Sequence, residues 1–219
     1  MNYKNLLKSK KFKIGIWGTG YIGLSTMVYF SKKNIKCVGF DINKEKVRKI
    51  NSGIIPLKDL EKWFGFNIKK MVKNGFLKAT TNPNDLISEN FIAHFIAVPT
   101  EKDGKPYYKP LMSVLNNIAK IRNKGKSIPP LVIVESTLAP KVSDNKILPF
   151  LRKKKFQIGK NILFSVASST QACFWTSVFA GARVRNCGRN FDKTEVKLRG
   201  GEGRASGLYF SFSAARGTF

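Results

Sequence analysis

The sequence Phe12-Lys-Ile-Gly-Ile-Trp-Gly-Thr-Gly-Tyr-Ile-Gly-Leu24 carries the strongest structural signal in this chain. Its first part, Phe12 to Trp17, is a short apolar run with branched residues, which predicts a buried β-strand. Three glycines follow at once, and the next apolar residues, Leu24, Met27 and Val28, have helical spacing. A strand that runs through a glycine-rich turn into a helix predicts the first βα unit of an open α/β sheet.

The same alternation of strands and helices continues as far as Val166. Further strands are predicted over Lys36–Asp41, Leu77–Thr80, Phe91–Val98, Leu131–Glu135 and Ile162–Val166. Helices are predicted over Ile22–Lys33, Lys44–Asn51, Asn67–Asn74, Asn84–Ser88, Leu111–Lys124 and Lys141–Leu151, and the aromatic run Trp63 to Phe66 is expected to pack beneath a loop. Strands joined by crossover helices form a parallel sheet that is covered on both faces. We therefore predict an α/β fold with a Rossmann-type doubly wound parallel sheet.

The turn Gly18-Thr19-Gly20-Tyr21-Ile22-Gly23 has the spacing of a dinucleotide-binding turn. The first glycine permits the tight turn, the second lets the backbone approach a pyrophosphate, and the third lets the helix pack closely on the strand. Asp41 lies 18 residues after Gly23, where its carboxylate can accept hydrogen bonds from two ribose hydroxyls. No arginine follows it to favour a 2′-phosphate, so the predicted cofactor is NAD rather than NADP. In the alternative interpretation, the glycines serve packing alone.

Four blocks of the chain together resemble the nucleotide-sugar 6-dehydrogenases, the UDP-glucose/GDP-mannose dehydrogenase family. They are Lys13–Leu24, Gly39-Phe-Asp-Ile-Asn43 with Lys46-Val47, Ala97-Val-Pro-Thr100, and Glu135-Ser-Thr-Leu-Ala-Pro140, and the resemblance extends over about residues 12–167. It implies that Asn43 and Lys46 lie beside the cofactor, that Val98, Pro99 and Thr100 close over the dinucleotide, and that Ser136 and Thr137 lie near the nicotinamide. It also places Thr137 near the attacking water, which makes Thr137 the candidate catalytic residue.

The resemblance implies a reaction as well. Members of the family oxidise the primary alcohol at C6 of a nucleotide-linked sugar to a carboxylate, use two NAD per turnover, trap the aldehyde on a cysteine thiolate, and form homodimers. After Ala167, however, the family's proline–glutamate segment is replaced by Ser168-Ser-Thr-Gln171, and neither a dimer helix nor a Gly-Gly-x-Cys block follows. We therefore expect the chain as given to bind NAD without oxidising a nucleotide sugar. The alternative is a non-catalytic dinucleotide-binding module that acts with a partner chain.

The composition of the chain changes near residue 167. There are 29 Lys and 3 Arg up to Ala167, but 2 Lys and 6 Arg from Ser168 onward, and all 9 prolines precede the change. The last 52 residues are rich in Gly, Ala, Ser and Arg and lack the apolar periodicity that builds a core. We predict a basic arm over residues 1–11, an NAD-binding domain over 12–167, and a divergent, poorly ordered tail over 168–219. Our hypothesis for this tail is a frameshift, a fusion or a truncation, and the alternative is a short native tail.

The net charge of +27 raises the question of a nucleic-acid partner. The lysines are scattered and do not alternate with stacking aromatics, so we expect no specific nucleic-acid binding and rank it third among the functions. No apolar run reaches the roughly 18–20 residues of a membrane span, and no secretory signal is visible, so we expect no membrane partner and a cytoplasmic location.

Several single residues invite a chemical role that their context does not favour. Three cysteines, Cys37, Cys173 and Cys187, fit neither a disulfide framework nor a zinc site, and no metal site is predicted. Cys37 is expected to be a small buried hydrophobe, and the other two are expected to be incidental thiols. We interpret His94, within an apolar strand, as structural, and Glu135 as a helix-capping or surface acid rather than a base.

Overall fold

The computed structural model describes residues 12–58, 60–64, 67–87, 91–121, 129–159 and 161–166. The predicted basic arm and divergent tail, together with Cys173 and Cys187, lie outside the described residues. Of the aromatic run Trp63 to Phe66, only the Phe64 side chain is described, and it packs half-buried against the hydrophobic core.

Eight strands are found in the described residues, and six of them form one parallel sheet. The strands are β1 (Lys13–Trp17), β2 (Lys36–Phe40), β3 (Leu77–Thr80), β4 (Phe91–Ile96), β5 (Glu101–Lys102), β6 (Lys105–Pro106), β7 (Leu131–Val134) and β8 (Leu163–Val166). The sheet has the order β3-β2-β1-β4-β7-β8, and each neighbouring pair is parallel. Because the order runs outward in both directions from the β1–β4 pair, the sheet is doubly wound. A crevice therefore opens at the carboxyl ends of β1 and β4.

Helices cover both faces of this sheet. They are α1 (Tyr21–Lys32), α2 (Lys44–Asn51), α3 (Leu60–Phe64), α4 (Lys69–Lys73), α5 (Lys109–Ile118) and α6 (Leu148–Lys153). A 3₁₀ turn over Pro83–Leu86 precedes β4, and a π-helical turn over Ser143–Ile147 precedes α6. None of the helices in the described ranges is long and apolar enough to cross a membrane.

Two hydrophobic clusters show which side chains hold the layers together. In α1 and α2 the buried residues Leu24, Met27, Val28, Val47 and Ile50 pack with Ile14, Ile16, Phe95 and Ile133 of the sheet. On the other face, α5 buries Leu111, Val114, Leu115 and Ile118 against Trp17, Ile96, Val132 and Val134. The spacing of the α5 residues is that of one helical stripe, and the alternation of Ile133 with Val132 and Val134 is that of a strand buried on both faces. The predicted α/β fold class is confirmed.

Most element bounds agree with the sequence prediction, and the differences have local causes. The strand predicted over Phe91–Val98 ends at Ile96, three residues before Pro99, which has no N–H to donate to a ladder. The helix predicted over Leu111–Lys124 begins at Lys109, because Pro110 suits the first helical turn, and α5 ends at Ile118.

The helix predicted over Lys141–Leu151 is in fact two elements, the π-helical turn and α6. Pro149 stands at the start of α6 and cannot donate the hydrogen bond that would continue an α-helix through it. The hairpin β5–β6 was not predicted. Its two-residue turn, Asp103-Gly104, has positive φ angles of 52° and 70°, as the Asp-Gly hairpin signal demands.

Candidate functional site

The glycine-rich turn follows β1 directly and lies at the crevice. Gly18 has a φ of +94°, and a Cβ there would lie 2.5 Å from the Ala97 carbonyl oxygen. A Cβ at Gly23 would collide with the Gly18 carbonyl oxygen. Gly20 differs from both, because a Cβ there would meet no protein atom within 4 Å. The first and third glycines are therefore required by the protein's own packing, whereas Gly20 borders open space that a ligand can enter.

Helix α1 begins immediately after this turn. Gly20 is its N-cap residue and offers no side-chain cap, and no acidic residue stands in the first turn. The first N–H groups of a helix lack intrahelical acceptors, so this end of α1 presents donors and a partial positive charge. Tyr21 and Ile22 expose 53% and 39% of their surface here, and the Tyr21 hydroxyl donates to the Lys58 carbonyl oxygen at 3.3 Å. This is the arrangement that binds a phosphate group.

Asp41 follows the carboxyl end of β2 and is bonded to the glycine-rich turn. Its Oδ2 accepts hydrogen bonds from the Thr19 backbone N–H at 3.0 Å and from the Thr19 hydroxyl at 2.8 Å. Its Oδ1 accepts from the Asn43 N–H at 2.9 Å. The carboxylate is only 9% exposed, and Thr19 is fully buried. A carboxylate offers about four acceptor sites, and three of them are used here, so Asp41 keeps one site for a ligand hydroxyl.

The residues after Asp41 shape the same corner of the site. Asn43 caps α2, because its side chain accepts from the Lys46 N–H at 3.0 Å. The Lys46 ammonium lies 3.9 Å from Asp41 Oδ2. Ile42 is 85% exposed beside them, which leaves a large apolar side chain next to the carboxylate. The structure therefore brings Thr19, Asp41, Asn43 and Lys46 together at one end of the crevice.

The other end of the crevice is formed by the loops after β4 and β7. The Ser136 hydroxyl donates to the Val98 carbonyl oxygen at 2.6 Å and approaches the Ile96 carbonyl oxygen at 3.3 Å. The Thr100 hydroxyl donates to the Thr137 carbonyl oxygen at 2.5 Å. Pro99 and Thr137 are exposed, and Ser136 is buried. Five residues that the resemblance places over the dinucleotide or near its nicotinamide thus lie at this end of the crevice: Val98, Pro99, Thr100, Ser136 and Thr137.

Glu135 is not the helix-capping or surface acid that we expected. It is 6% exposed, and its Oε2 accepts a hydrogen bond from the Thr26 hydroxyl of α1 at 3.1 Å. Burial raises the pKa of Glu135 to about 7, with the Thr26 hydrogen bond opposing that rise. Glu135 is buried because it follows β7 on the same face of the sheet as Ile133, and α1 covers that face. No signal within the local sequence indicates this long-range contact.

His94 and Cys37 behave as the sequence suggested. His94 is fully buried in β4, where its Nδ1 accepts from the Trp17 indole N–H at 3.3 Å and its Nε2 has no partner among the described residues. Burial lowers the pKa of His94 to about 3 and raises the pKa of the Cys37 thiol to about 12. Within the described ranges no three His, Cys, Asp or Glu side chains lie close enough to hold a metal ion.

These observations fit an NAD molecule. The open space at Gly20 and the uncapped start of α1 suit a pyrophosphate, the Asp41 corner suits a ribose with two free hydroxyls, and the crevice lies at the reversal of strand order. The described part of the chain is therefore a Rossmann-type NAD-binding domain.

Comparison with known proteins gives the family. Residues 12–171 match the UDP-glucose/GDP-mannose dehydrogenase family, NAD binding domain. Because this match extends over well more than half of the chain, the chain belongs to that family, and the matched part is its NAD-binding domain. The sheet, the turn and Asp41 are thus features of a nucleotide-sugar dehydrogenase domain.

Individual relatives agree with this assignment. The chain is 38% identical over 128 residues to UDP-N-acetyl-D-mannosamine dehydrogenase of Campylobacter jejuni, covering 57% of this chain and 29% of that protein. It is 32% identical over 128 residues to the protein of the same description from Pyrococcus horikoshii, covering 58% and 29%. Among solved structures, the UDP-N-acetyl-mannosamine dehydrogenase Cap5O of Staphylococcus aureus superposes with a TM-score of 0.59 at 29% identity, covering 70% and 36%. The chain thus spans about a third of the length of the relatives that it matches.

Proposed function

We propose that this chain supplies the NAD-binding part of an enzyme that oxidises the C6 alcohol of a UDP- or GDP-linked sugar to a uronate. The family membership and the descriptions of the relatives as UDP-sugar dehydrogenases support this proposal. The observation that carries it is the glycine-rich turn at the uncapped start of α1, with Asp41 hydrogen-bonded to it at the crevice.

Each described group has a role in this proposal. The N–H groups at the start of α1 bind the pyrophosphate, and Gly20 leaves the room that this approach requires. Asp41 accepts a hydroxyl of the adenosine ribose, with Lys46 beside it. When bound, NAD supplies the acceptor for the hydride that leaves C6. The protein's own contribution on this side is to orient the cofactor so that the nicotinamide faces the sugar.

The remaining features of the proposal come from the family resemblance. Thr137, exposed at the end of the β7 loop, is the candidate residue beside the nicotinamide and the attacking water. A nucleotide sugar is the substrate, a second copy of the chain is the partner, and the cytoplasm is the location. The sugar itself and its nucleotide would be selected by parts of the protein beyond the NAD-binding domain.

The test is a calorimetric titration of the 219-residue chain and its Gly20→Val variant with NAD. The wild-type chain should bind, and Gly20→Val should weaken binding by about a hundredfold or more, because the branched side chain occupies the space of the pyrophosphate. The variant should keep the wild-type thermal unfolding midpoint, since a Cβ at this position touches no protein atom and Gly20 has an ordinary extended conformation, with φ −71° and ψ −166°. An unchanged affinity in a folded variant would mean that this turn does not hold the dinucleotide.

A further inference from the structure

The pairing between β4 and β7 continues past the end of β7, onto the last residue of β4. The N–H groups of Glu135 and Ser136 both donate to the Ile96 carbonyl oxygen, at 2.8 and 3.2 Å. Among the described residues, no further backbone hydrogen bond joins the loop after β4 to the loop after β7. The remaining hydrogen bonds found between these two loops involve side chains.

Two hydroxyl groups connect the two loops. Ser136 donates to the Val98 carbonyl oxygen at 2.6 Å, and Thr100 donates to the Thr137 carbonyl oxygen at 2.5 Å. One bond runs from the β7 loop to the β4 loop and the other runs in the opposite direction, so the loops are joined reciprocally. We call this pair of bonds the hydroxyl clamp.

The clamp restricts what these two side chains can offer a ligand. A hydroxyl group has a single proton, so Ser136 and Thr100 cannot donate to a dinucleotide while they donate to carbonyl oxygens. Ser136 is only 8% exposed, which limits its contact with a ligand further. The Thr137 side chain, by contrast, is exposed.

Thr100 also fixes the hairpin that follows it. Its carbonyl oxygen accepts a hydrogen bond from the Tyr107 N–H at 2.7 Å, on the far side of the β5–β6 hairpin. The hairpin is thereby closed at its base on the residue whose hydroxyl group holds the β7 loop. Thr100 is therefore hydrogen-bonded both to the loop after β7 and to the end of the hairpin.

We propose that Thr100 and Ser136 are positioning residues, whose hydroxyl groups join the β4 and β7 loops into one preformed wall for the nicotinamide half of NAD. This inference rests on the proposed function and changes the role that the resemblance assigns to these two residues. The wall is ordered before the ligand arrives, so binding does not have to order it. Thr137 is left as the side chain of this wall that meets the ligand.

The experiment compares NAD with ADP-ribose, which lacks the nicotinamide. The 219-residue chain and its variants Thr100→Val and Ser136→Ala are titrated calorimetrically with both ligands. Each variant should bind NAD about fivefold more weakly, because binding must then order the wall, and should bind ADP-ribose within about twofold of wild type. Thr81→Val and Ser113→Ala, which remove exposed hydroxyl groups of the same residue types elsewhere, should leave both affinities unchanged.

An equal loss for both ligands, or no loss for either, would overturn the inference. Hydrogen exchange of the ligand-free variants tests the clamp separately. Either substitution should increase exchange at the amides of Glu135 and Ser136 and at the Tyr107 amide together, and an increase confined to the substituted loop would contradict the clamp. A wild-type chain that binds neither ligand would refute the proposed function, and the exchange result would still decide whether the clamp exists.

Discussion

The glycine-rich turn and the loops after β4 and β7 border the same crevice but are built by opposite means. The turn depends on side chains that are missing, because a Cβ at Gly18 or Gly23 would collide with backbone carbonyl groups. The strand-end loops depend on side chains that are present, because the hydroxyl groups of Thr100 and Ser136 hold them together. A substitution at Gly18 or Gly23 therefore displaces the backbone, whereas the strand-end loops can lose one hydrogen bond and keep their fold. The expected effects of mutation differ accordingly.

The largest loss of stability is expected from Gly23→Ala, which tests whether the third glycine of the turn is required for packing. The new methyl group would overlap the Gly18 carbonyl oxygen, so either the turn or α1 must move. We expect a loss of about 3 kcal/mol or more in the free energy of unfolding, measured by urea denaturation, because backbone cannot relax as a side chain does.

Gly20→Ala is the matched control for that substitution, because its methyl group would meet no protein atom within 4 Å. It should change the free energy of unfolding by less than about 1 kcal/mol. Equal losses in the two variants would show that the turn does not distinguish its glycines, and the contrast with the strand-end loops would disappear.

The next effect is a pH dependence of the free energy of unfolding, and it is caused by Glu135 in the loop after β7. The pKa of Glu135 is raised to about 7 by burial, above its ordinary value of 4.5. A raised pKa contributes stability that is fully present below pH 4.5 and is lost as the pH rises through 7. Glu135→Gln removes this dependence. The free energy of unfolding of wild type minus that of the variant should therefore fall by about 3 kcal/mol between pH 4.5 and pH 7.5.

The free energy of the Glu135→Gln variant is subtracted from that of wild type because His94 changes stability with pH in the opposite direction. Burial lowers the pKa of His94 to about 3, so its unfolded form takes up a proton first and stability falls as the pH drops below 6.5. Both proteins contain His94, and its contribution cancels in the subtraction. A difference that stays flat across this pH range would mean that Glu135 is not held protonated by its surroundings.

A smaller effect is expected from Asp41→Ala on the turn side. The variant should bind NAD more weakly by about 1.5–3 kcal/mol, because charge-assisted hydrogen bonds to the ribose are lost. Thr19→Val is the matched control, since it removes one donor to Asp41 and keeps the carboxylate. Calorimetric titration should give a loss of less than about 1 kcal/mol for this control. If both variants lost the same affinity, Asp41 would act on the turn alone and not on the ribose.

The fold and the turn could be predicted because their causes are local in the sequence. Gly18 and Gly23 stand at the spacing that the strand–turn–helix junction requires, and the alternation of strands and helices indicates a parallel sheet whatever the remaining contacts are. The Asp103-Gly104 hairpin signal is equally local, but its two-residue strands carry no periodicity of their own, so the hydrophobic pattern does not predict them.

The contacts that span the fold could not be predicted in the same way. The Thr19–Asp41 and Thr100–Thr137 bonds join residues 22 and 37 positions apart, and nothing in either local sequence identifies the partner. The burial of Glu135 could not be predicted for the same reason, because its hydrogen bond to Thr26 spans 109 positions. Hydroxyl groups of Ser and Thr are frequent on any surface, so their position in a clamp becomes visible only in three dimensions.

An NAD site formed by the glycine-rich turn and Asp41 can be tested by titrating the wild-type chain with NAD and with NADP under identical conditions. A carboxylate at the ribose position accepts a ribose hydroxyl of NAD and repels the 2′-phosphate of NADP. We predict that NAD binds at least about tenfold more tightly than NADP. Equal binding of the two dinucleotides, or binding of neither, would contradict it.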